Sequence, residues 1–226
     1  MDARDHAKEL AAQRALEFIN DGMIVGLGSG STARHFIRLL GARVQTGLKI
    51  RGIPSSKNSE TLAKSLAIPI IDFHQTSLID VTIDGADEIA PGLALIKGGG
   101  GALLREKIVA SASKKFIVVA DSSKIVEHLG KFPLPVEVIP MAAPLVAAKL
   151  SALKIRAQVR QQSSGGDYIT DEGNLILDCD CGPILDPRAL AAEIRAIVGV
   201  VEHGLFLSMA ELAIVSSENE ISILRP

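Results

Sequence analysis

Residues 23–32, MIVGLGSGST, run from a short apolar strand through three glycines to the start of a helix. A glycine-rich turn between a strand and a helix exposes backbone N–H groups at the positive end of the helix dipole, where an anion such as phosphate can bind. The dinucleotide fingerprint G-x-G-x-x-G is not matched because Ser31 replaces its third glycine, and the Walker pattern GK[ST] is absent. The turn therefore favours a small phosphate bound with the hydroxyl groups of Ser29, Ser31 and Thr32. A tight turn without a ligand is the alternative.

Strands and helices alternate on both sides of this turn. Several predicted strands are nearly continuous apolar runs, which is typical of a parallel sheet covered by helices on both faces. The predicted fold class is therefore α/β. The pattern predicts helices over 3–20, 31–43, 58–67 and 102–113, and strands over 23–30, 49–56, 68–73, 79–89 and 115–121.

The pattern changes at residues 130–140, GKFPLPVEVIP, whose prolines are too closely spaced for a helix or a central strand. A small α+β segment follows, with predicted helices at 142–152 and 186–198, a strand at 154–161 and a turn at 171–173. The last stretch, from residue 204, is predicted to form strands that return to the first sheet. Two domains are expected, one of residues 1–131 plus 204–226 and one of residues 132–203.

Composition argues against several classes of partner. The chain has 226 residues, and 24 Lys and Arg against 26 Asp and Glu give a formal net charge of −2. This balance lacks the basic footprint of a nucleic-acid-binding protein, and the absence of Trp leaves few side chains on which bases could stack. No apolar run approaches the ~20 residues of a membrane span, and the N-terminus lacks a signal-peptide core. We expect a cytoplasmic protein without nucleic-acid or membrane partners.

The potential metal ligands of the Cys and His type are few and scattered. The five histidines form no ligand pair, which weakens any transition-metal site. Cys179 and Cys181 would share one face of a strand, so a metal or redox role is conceivable. No further ligands lie near them in the sequence, and simple packing of two small side chains is the prediction.

A second unusual stretch, DGADE at 84–88, follows a predicted strand and carries Asp84, Asp87 and Glu88. Ligands of parallel α/β sheets bind beyond the carboxyl ends of the strands, which is where this stretch and the Ser29 turn are expected. Three interpretations stay open. The carboxylates could form a solvated acidic turn, bind Mg²⁺, or bind sugar hydroxyls and move protons.

The third stretch, KGGGGALLREK at 97–107, places four glycines before an apolar helix. Glycines let the backbone approach a ligand closely, and their N–H groups can stabilise developing negative charge. Glu106 has Ala102, Leu103, Val109 and Ala110 at the i±3 and i±4 positions that share its helix face. We expect desolvation to raise its pKa toward neutrality, as a general base requires. A structural ion pair with Lys97 or Lys107 is the alternative.

Five segments together resemble one family, the ribose-5-phosphate isomerases of the A type. They are GLGSGSTA, DGADEI, KGGGGALLREKI, GKFPLPVEVIPMA, and GNLILD with ILDP, and they occur in this order between about residues 3 and 215. The resemblance implies a Rossmann-like catalytic domain with a smaller α+β lid and oligomerisation domain, in a homodimer or homotetramer. It also implies interconversion of D-ribose 5-phosphate and D-ribulose 5-phosphate in the non-oxidative pentose phosphate pathway, without a cofactor or metal.

The resemblance also assigns roles to residues of this chain. It implies that Glu106 is the general base, that Asp84 and Asp87 open the sugar ring and bind hydroxyls, and that Lys97 is the active-site lysine. Where the family often has threonine, this chain has Ser29, which also supplies a hydroxyl. The implied substrate-binding residues are Ser29, Gly30, Ser31, Thr32, Asp84, Gly85, Ala86, Asp87, Lys97, Gly98, Gly99, Gly100 and Lys124.

Three other functions are also compatible with these motifs. A sugar-phosphate sensor could use the same loops without catalysis, although the chain leaves little room for a DNA-binding domain. An acyl- or CoA-transferase could use Glu106 as a nucleophile and form a thioester. A metal-dependent isomerase would lose its activity in the presence of a chelator.

Overall fold

The computed structural model describes residues 3–217 and 220–226, which form two compact units. The first unit contains the residues up to Ala86, Arg105–Lys124, and those from Ser208 onward. The second unit contains Asp87–Leu104 and Ile125–Leu207.

The described residues form six α-helices and thirteen strands, numbered along the chain. The helices are α1 Ala3–Ala15, α2 Gly30–Gln45, α3 Lys57–Ser65, α4 Leu103–Ser111, α5 Ala143–Ala152 and α6 Pro187–Arg195. The strands are β1 Ile24–Leu27, β2 Arg51–Pro54, β3 Val81–Asp84, β4 Glu88–Ala90, β5 Ala94–Ile96, β6 Phe116–Asp121, β7 Leu134–Val138, β8 Arg156–Val159, β9 Leu175–Asp180, β10 Val200–His203, β11 Leu205–Phe206, β12 Leu212–Ser216 and β13 Ile221–Leu224.

A six-stranded sheet in the order β13-β12-β6-β3-β1-β2 forms the centre of the first unit. All neighbouring pairs are parallel except β12 with β13. The chain passes from β1 to β2 on one side and later to β3 on the other, so the direction of winding reverses between β1 and β3. The α/β fold class is confirmed. Of the strands in the stretch from residue 204, β12 and β13 return to the first sheet as predicted, whereas β11 pairs with β5 in another sheet.

The two faces of this sheet are covered by different helices. On one face, α1 and α2 pack on Val25, Leu27 and Ile83, which are buried on alternate positions of their strands. Helix α2 buries its apolar side chains at helical spacing, and these are Ala33, Phe36, Ile37 and Leu40. On the other face, Val109 of α4 lies so close to β1 that a Cβ at Gly26 would come within 2.8 Å of it.

The second unit contains two antiparallel sheets, a four-stranded sheet in the order β10-β7-β9-β8 and a three-stranded sheet in the order β11-β5-β4. Its core includes Val136 and Val138 of β7, Leu177 of β9, and Val146 and Leu150 of α5. No helix among the described residues is long and apolar enough to cross a bilayer.

The predicted strand at 68–73 is wrong. Only one isolated parallel bridge forms there, between Gly52 and Ile70. The N–H of Gly52 donates to the carbonyl of Pro69, and the N–H of Ile71 donates to the carbonyl of Gly52. Pro69 has no N–H of its own, so the ladder cannot extend from this bridge toward residue 68.

The prediction that residues 130–140 exclude a central strand is also wrong. Residues 134–138 form β7, which lies between β9 and β10. Pro135 is tolerated because it is near the start of the strand and the ladder uses its carbonyl, which accepts the N–H of Gly204 at 2.7 Å.

The two cysteines lie at the end of β9 and are both free thiols. Cys179 is fully buried in the apolar core of the second unit, and desolvation raises its pKa. Desolvation, followed by the charge of Asp180, raises the pKa of Cys181 to about 11. A thiolate is the reactive form of cysteine, so both side chains are poor nucleophiles at neutral pH.

Candidate active site

In the first unit, the Ser29 turn and Asp84 meet where the winding of the sheet reverses. Asp84 is the last residue of β3 and is 1% exposed. Its Oδ1 accepts the N–H of Ser29 at 2.8 Å and the N–H of Gly85 at 2.7 Å. A Cβ at Gly28 would lie 2.5 Å from the Cα of Asp84, so this close approach of the two strands requires glycine. Open α/β sheets bind their ligands at this kind of crevice.

A cluster of serines supports the turn from the side of β2. The Oγ atoms of Ser29 and Ser55 are 2.9 Å apart, and the Oγ of Ser59 donates to the carbonyl of Gly28 at 2.6 Å. Ser55 and Ser59 are buried, so these bonds fix the turn from within. This role of the serines after β2 was not predicted from the sequence. Their position after a strand that neighbours β1 was the available signal.

The first turn of α2 provides backbone amides in this crevice. Ser29 is the N-cap residue, and Gly30, Ser31 and Thr32 begin the helix. The first four N–H groups of a helix have no acceptor within the helix, and the first turn of α2 carries no acidic residue that would oppose an anion. The Ser31 side chain is exposed, whereas Thr32 is buried.

Glu106 belongs to the first turn of α4 and is 4% exposed. The C-terminal end of α4 lies at the amino edge of the sheet, because Ile79 exchanges backbone hydrogen bonds with Ala112 and Lys114 just before β3. Val109 packs on the middle of β1. Glu106 comes three residues earlier in α4 and therefore lies ~4.5 Å nearer the carboxyl edge. The first unit therefore directs this buried residue toward the edge that carries Asp84.

Lys124 also lies at this edge of the sheet. It ends a short 3₁₀ turn, Ser122–Lys124, that directly follows β6, the neighbour of β3. Lys124 is half-buried. Asp121 stabilises the turn, since its Oδ1 accepts the N–H of Ser123 at 3.1 Å.

In the second unit, Asp87 contacts the glycine loop, which we define as residues 98–101. The N–H of Gly99 donates to Oδ2 of Asp87 at 2.7 Å, and the N–H of Asp87 donates to the carbonyl of Ile96 at 2.8 Å. A Cβ at Gly99 would lie 2.6 Å from Oδ1 of Asp87, so only glycine permits this contact.

The other glycines of the loop have different structural reasons. Gly101 has a φ of +84°, and a Cβ there would lie 2.2 Å from the hydroxyl of Tyr168. A Cβ at Gly100 would meet no protein atom within 4 Å. Gly100 is exposed, so packing within the protein does not explain why glycine is used there.

Lys97 precedes the glycine loop and is only 2% exposed. Its N–H donates to the carbonyl of Gly204 at 2.9 Å. Its Nζ lies 5.5 Å from the ring centroid of Phe206, within the range of a cation–π interaction. The second unit thus holds a lysine amine in a largely dry environment.

Glu88 does not share the surroundings of Asp87. Its carboxylate accepts the N–H of Gly130 at 2.7 Å and the N–H of Phe132 at 2.5 Å, and the residue is buried. Glu88 therefore stabilises the chain before β7. Among the residues that the structure describes, no three His, Cys, Asp or Glu side chains are placed to hold a metal ion.

Glu137 of β7 was not predicted as a site residue, although a single glutamate within the apolar run LPVEV was a signal of a buried polar site. It is 1% exposed, and its Oε1 accepts bonds from Thr170 and Asn174, both at 2.9 Å. The backbone N–H of Leu104, in the first turn of α4, also donates to this carboxylate. A negative charge is favourable at a helix N-terminus. Desolvation nevertheless raises the pKa of Glu137, opposed by the bonds from Asn174 and Thr170.

This raised pKa predicts a specific dependence of stability on pH. The ordinary pKa of a glutamate is 4.5. Above that pH, a larger fraction of Glu137 is protonated in the folded protein than in the unfolded chain. Its contribution to the free energy of unfolding is therefore complete below pH 4.5 and declines as the pH rises through the raised value. In Glu137→Gln, which is uncharged at every pH, this decline is absent.

Urea denaturation between pH 4.5 and 8 measures the effect. The free energy of unfolding of the wild type, relative to that of Glu137→Gln, should fall as the pH rises. The exposed Glu127→Gln is the matched control and should show no such trend. A difference between wild type and Glu137→Gln that is constant, or that rises with pH, contradicts the prediction.

The family model and the relatives that match this chain all indicate the same family. The sequence model of the family described as ribose 5-phosphate isomerase A (phosphoriboisomerase A) matches residues 51–220. A protein named ribose-5-phosphate isomerase A from Sphingopyxis alaskensis is 50% identical over 216 residues, covering 96% of this chain and 94% of its own. A protein of the same name from Bacillus mycoides is 49% identical over 215 residues, covering 95% and 97%.

Solved structures agree with these sequence matches. The structure of ribose 5-phosphate isomerase A from Methanocaldococcus jannaschii superimposes with a TM-score of 0.93 at 41% identity, covering 97% of this chain and 98% of its own. A D-ribose-5-phosphate isomerase in complex with phospho-erythronic acid superimposes with a TM-score of 0.96 at 40% identity, with full coverage of both chains.

Proposed function

The chain belongs to the ribose 5-phosphate isomerase A family of aldose–ketose isomerases, and on that premise we propose that it interconverts D-ribose 5-phosphate and D-ribulose 5-phosphate through a cis-enediolate. Glu106 is the general base in this proposal. The observation that carries it lies in the first unit. A buried glutamate is directed toward the sheet edge at which Asp84 receives the N–H groups of Ser29 and Gly85.

The substrate phosphate binds at the first turn of α2. The amides of Gly30, Ser31 and Thr32 and the hydroxyl of Ser31 provide hydrogen-bond donors for its oxygens. Lys124 provides a positive charge at the same edge of the sheet. The lack of an acidic residue in this turn supports the assignment.

Ring opening is the first chemical step. Asp84 moves the proton that is exchanged between the anomeric hydroxyl and the ring oxygen, with help from Asp87 or Lys97. Asp87 also binds substrate hydroxyls, together with Gly85 and Ala86. The bonds from two backbone amides to Oδ1 of Asp84 support this role, because they fix the direction of its carboxylate.

Glu106 then removes the proton from C2 of the open aldehyde. The electron pair of that C–H bond forms the C1–C2 double bond, and negative charge develops on O1. Lys97 and the N–H groups of the glycine loop stabilise this charge. The proton of the O2 hydroxyl passes to O1, so the negative charge moves to O2. Glu106 then returns its proton to C1, the double bond shifts to C2–O2, and the ketose forms with Glu106 again deprotonated.

The ligand of one relative supports this assignment of charges. Phospho-erythronic acid, in complex with an isomerase 40% identical to this chain, carries both a phosphate and a carboxylate. Its carboxylate resembles the enediolate in charge and planarity. Phospho-erythronic acid is therefore a suitable binding probe, since the reaction does not consume it.

A direct assay tests the proposed function. The purified protein should convert ribose 5-phosphate to ribulose 5-phosphate at the same rate with and without excess EDTA, and the ketose formed in D₂O should carry deuterium at C1. Absence of ketose formation refutes the activity, and loss of activity in EDTA refutes a metal-independent reaction. A thioester that hydroxylamine cleaves would instead indicate acyl transfer by Glu106.

We also propose a homodimer or homotetramer that works in the cytoplasm, in the non-oxidative pentose phosphate pathway. The second unit supports self-association because several of its large apolar side chains are strongly exposed. Met141 is 89% exposed, Val198 84% and Leu185 79%. Where such side chains form a continuous apolar patch, the patch marks a site of protein–protein interaction.

A further inference from the structure

Arg160 contacts the backbone of the glycine loop within the second unit. Its Nη1 donates to the carbonyl oxygens of Gly98 at 2.9 Å and Gly99 at 3.1 Å. Its Nε and Nη2 donate to the two carboxylate oxygens of Asp178, at 2.9 Å and 2.5 Å. The Arg160 side chain is only 12% exposed. One guanidinium thus links a charged residue of β9 to two consecutive peptide groups of the loop.

The backbone of Arg160 is fixed as well. Its N–H donates to the carbonyl of Ile176 in β9, and its carbonyl accepts the N–H of Tyr168, both at 2.8 Å. The hydroxyl of Tyr168 lies 3.4 Å from the carbonyl oxygen of Gly100. The guanidinium therefore has little freedom to leave the loop, since bidentate pairing with Asp178 also sets its plane.

These contacts determine the direction of the loop amides. In a trans peptide the C=O and N–H groups point in opposite directions. The carbonyl of Gly98 faces Arg160, and the N–H of the same peptide group, on Gly99, donates to Asp87. The carbonyl of Gly99 also faces Arg160, so the N–H of Gly100 points away from the guanidinium, toward the side on which Asp87 lies.

We propose that Arg160 is a positioning residue with two effects. It directs the Gly100 N–H at the substrate oxygen that gains negative charge. Through Gly99, it also holds Asp87 in place. The proposal rests on the proposed function. This role requires arginine, because the planar guanidinium can bind a carboxylate through Nε and Nη2 and still donate from Nη1 to two carbonyl oxygens. The ammonium group of a lysine cannot do both.

The test is Arg160→Lys, which keeps the positive charge but removes the planar guanidinium and its several N–H donors. A small misplacement of a group that acts in the transition state costs up to about 10²-fold in rate. We expect kcat to fall by about this factor while KM for ribose 5-phosphate changes little. Binding of phospho-erythronic acid should weaken. Inhibition by inorganic phosphate, which the proposed function places at the first turn of α2 alone, should be unchanged.

The chain offers a matched control in the same pair of strands. Arg156 of β8 pairs with Asp180 of β9 at 2.7 Å, but its side chain is 75% exposed. Arg156→Lys should leave kcat, KM and both binding constants unchanged. Asp178→Asn removes the group that orients the guanidinium and should give the same pattern as Arg160→Lys, with a smaller fall in kcat. This second variant tests the proposal if Arg160→Lys does not fold.

The outcomes separate the two proposals. A wild-type protein without isomerase activity refutes the proposed function, and the direction of the loop amides is then tested by phospho-erythronic acid binding alone. An active wild type with a folded Arg160→Lys of unchanged kcat overturns the role of Arg160. An equal loss of affinity for phosphate and phospho-erythronic acid also overturns it, because a general structural disturbance would affect both probes.

Discussion

Glu106→Gln should lower kcat for the isomerisation of ribose 5-phosphate by about 10²–10⁴-fold, the usual cost of removing a general base. Glutamine has nearly the same shape and occupies the same buried position in the first turn of α4, so the fold should be retained. The amide cannot accept a proton from C2. Binding of phospho-erythronic acid should therefore persist while turnover is lost.

Glu127→Gln is the matched control, because it makes the same chemical change at a side chain that is 90% exposed. Its kcat should equal that of the wild type. Exchange of the C1 protons of ribulose 5-phosphate with D₂O gives an independent readout, since it requires only proton removal and return. If Glu106→Gln exchanges these protons or turns over at nearly the wild-type rate, another group is the base.

Asp84→Asn should also lower kcat from ribose 5-phosphate by about 10²–10⁴-fold, because the variant cannot move the proton for ring opening. The amide oxygen of asparagine can still accept the N–H groups of Ser29 and Gly85, which both bind Oδ1. The crevice between β1 and β3 should therefore keep its geometry, and the free energy of unfolding should change little.

The roles of Asp84 and Glu106 can be distinguished by starting the reaction from ribulose 5-phosphate instead of ribose 5-phosphate. In ribulose 5-phosphate the hydroxyl that would close a five-membered ring is esterified by phosphate, so this substrate is an open chain. Exchange of its C1 protons with D₂O needs no ring opening and should be much less impaired by Asp84→Asn than is turnover of ribose 5-phosphate. Equal impairment of both would contradict a role in ring opening. Asp72→Asn, on an exposed loop, is the control.

Local patterns in the sequence predicted much of the first unit. The order of apolar strands and helices indicated a parallel α/β sheet, since burial of both faces leaves continuous apolar runs. The glycine turn at 26–30 and the apolar neighbours of Glu106 were visible because they depend on residues close together in the chain. Proline content misled the prediction for β7, where tolerance of Pro135 depends on which strands pair beside it.

The sequence by itself thus determined most helices and strands of the first unit, the glycine turns and the burial of Glu106, because each follows from the spacing of neighbouring residues. Only the tertiary structure decided which distant groups meet. The N–H of Ser29 reaches Asp84 across 55 positions, and Arg160 reaches the glycine loop across 61 and 62. The physical reason is that strand order and register, rather than local periodicity, set which backbone groups face a buried carboxylate or guanidinium.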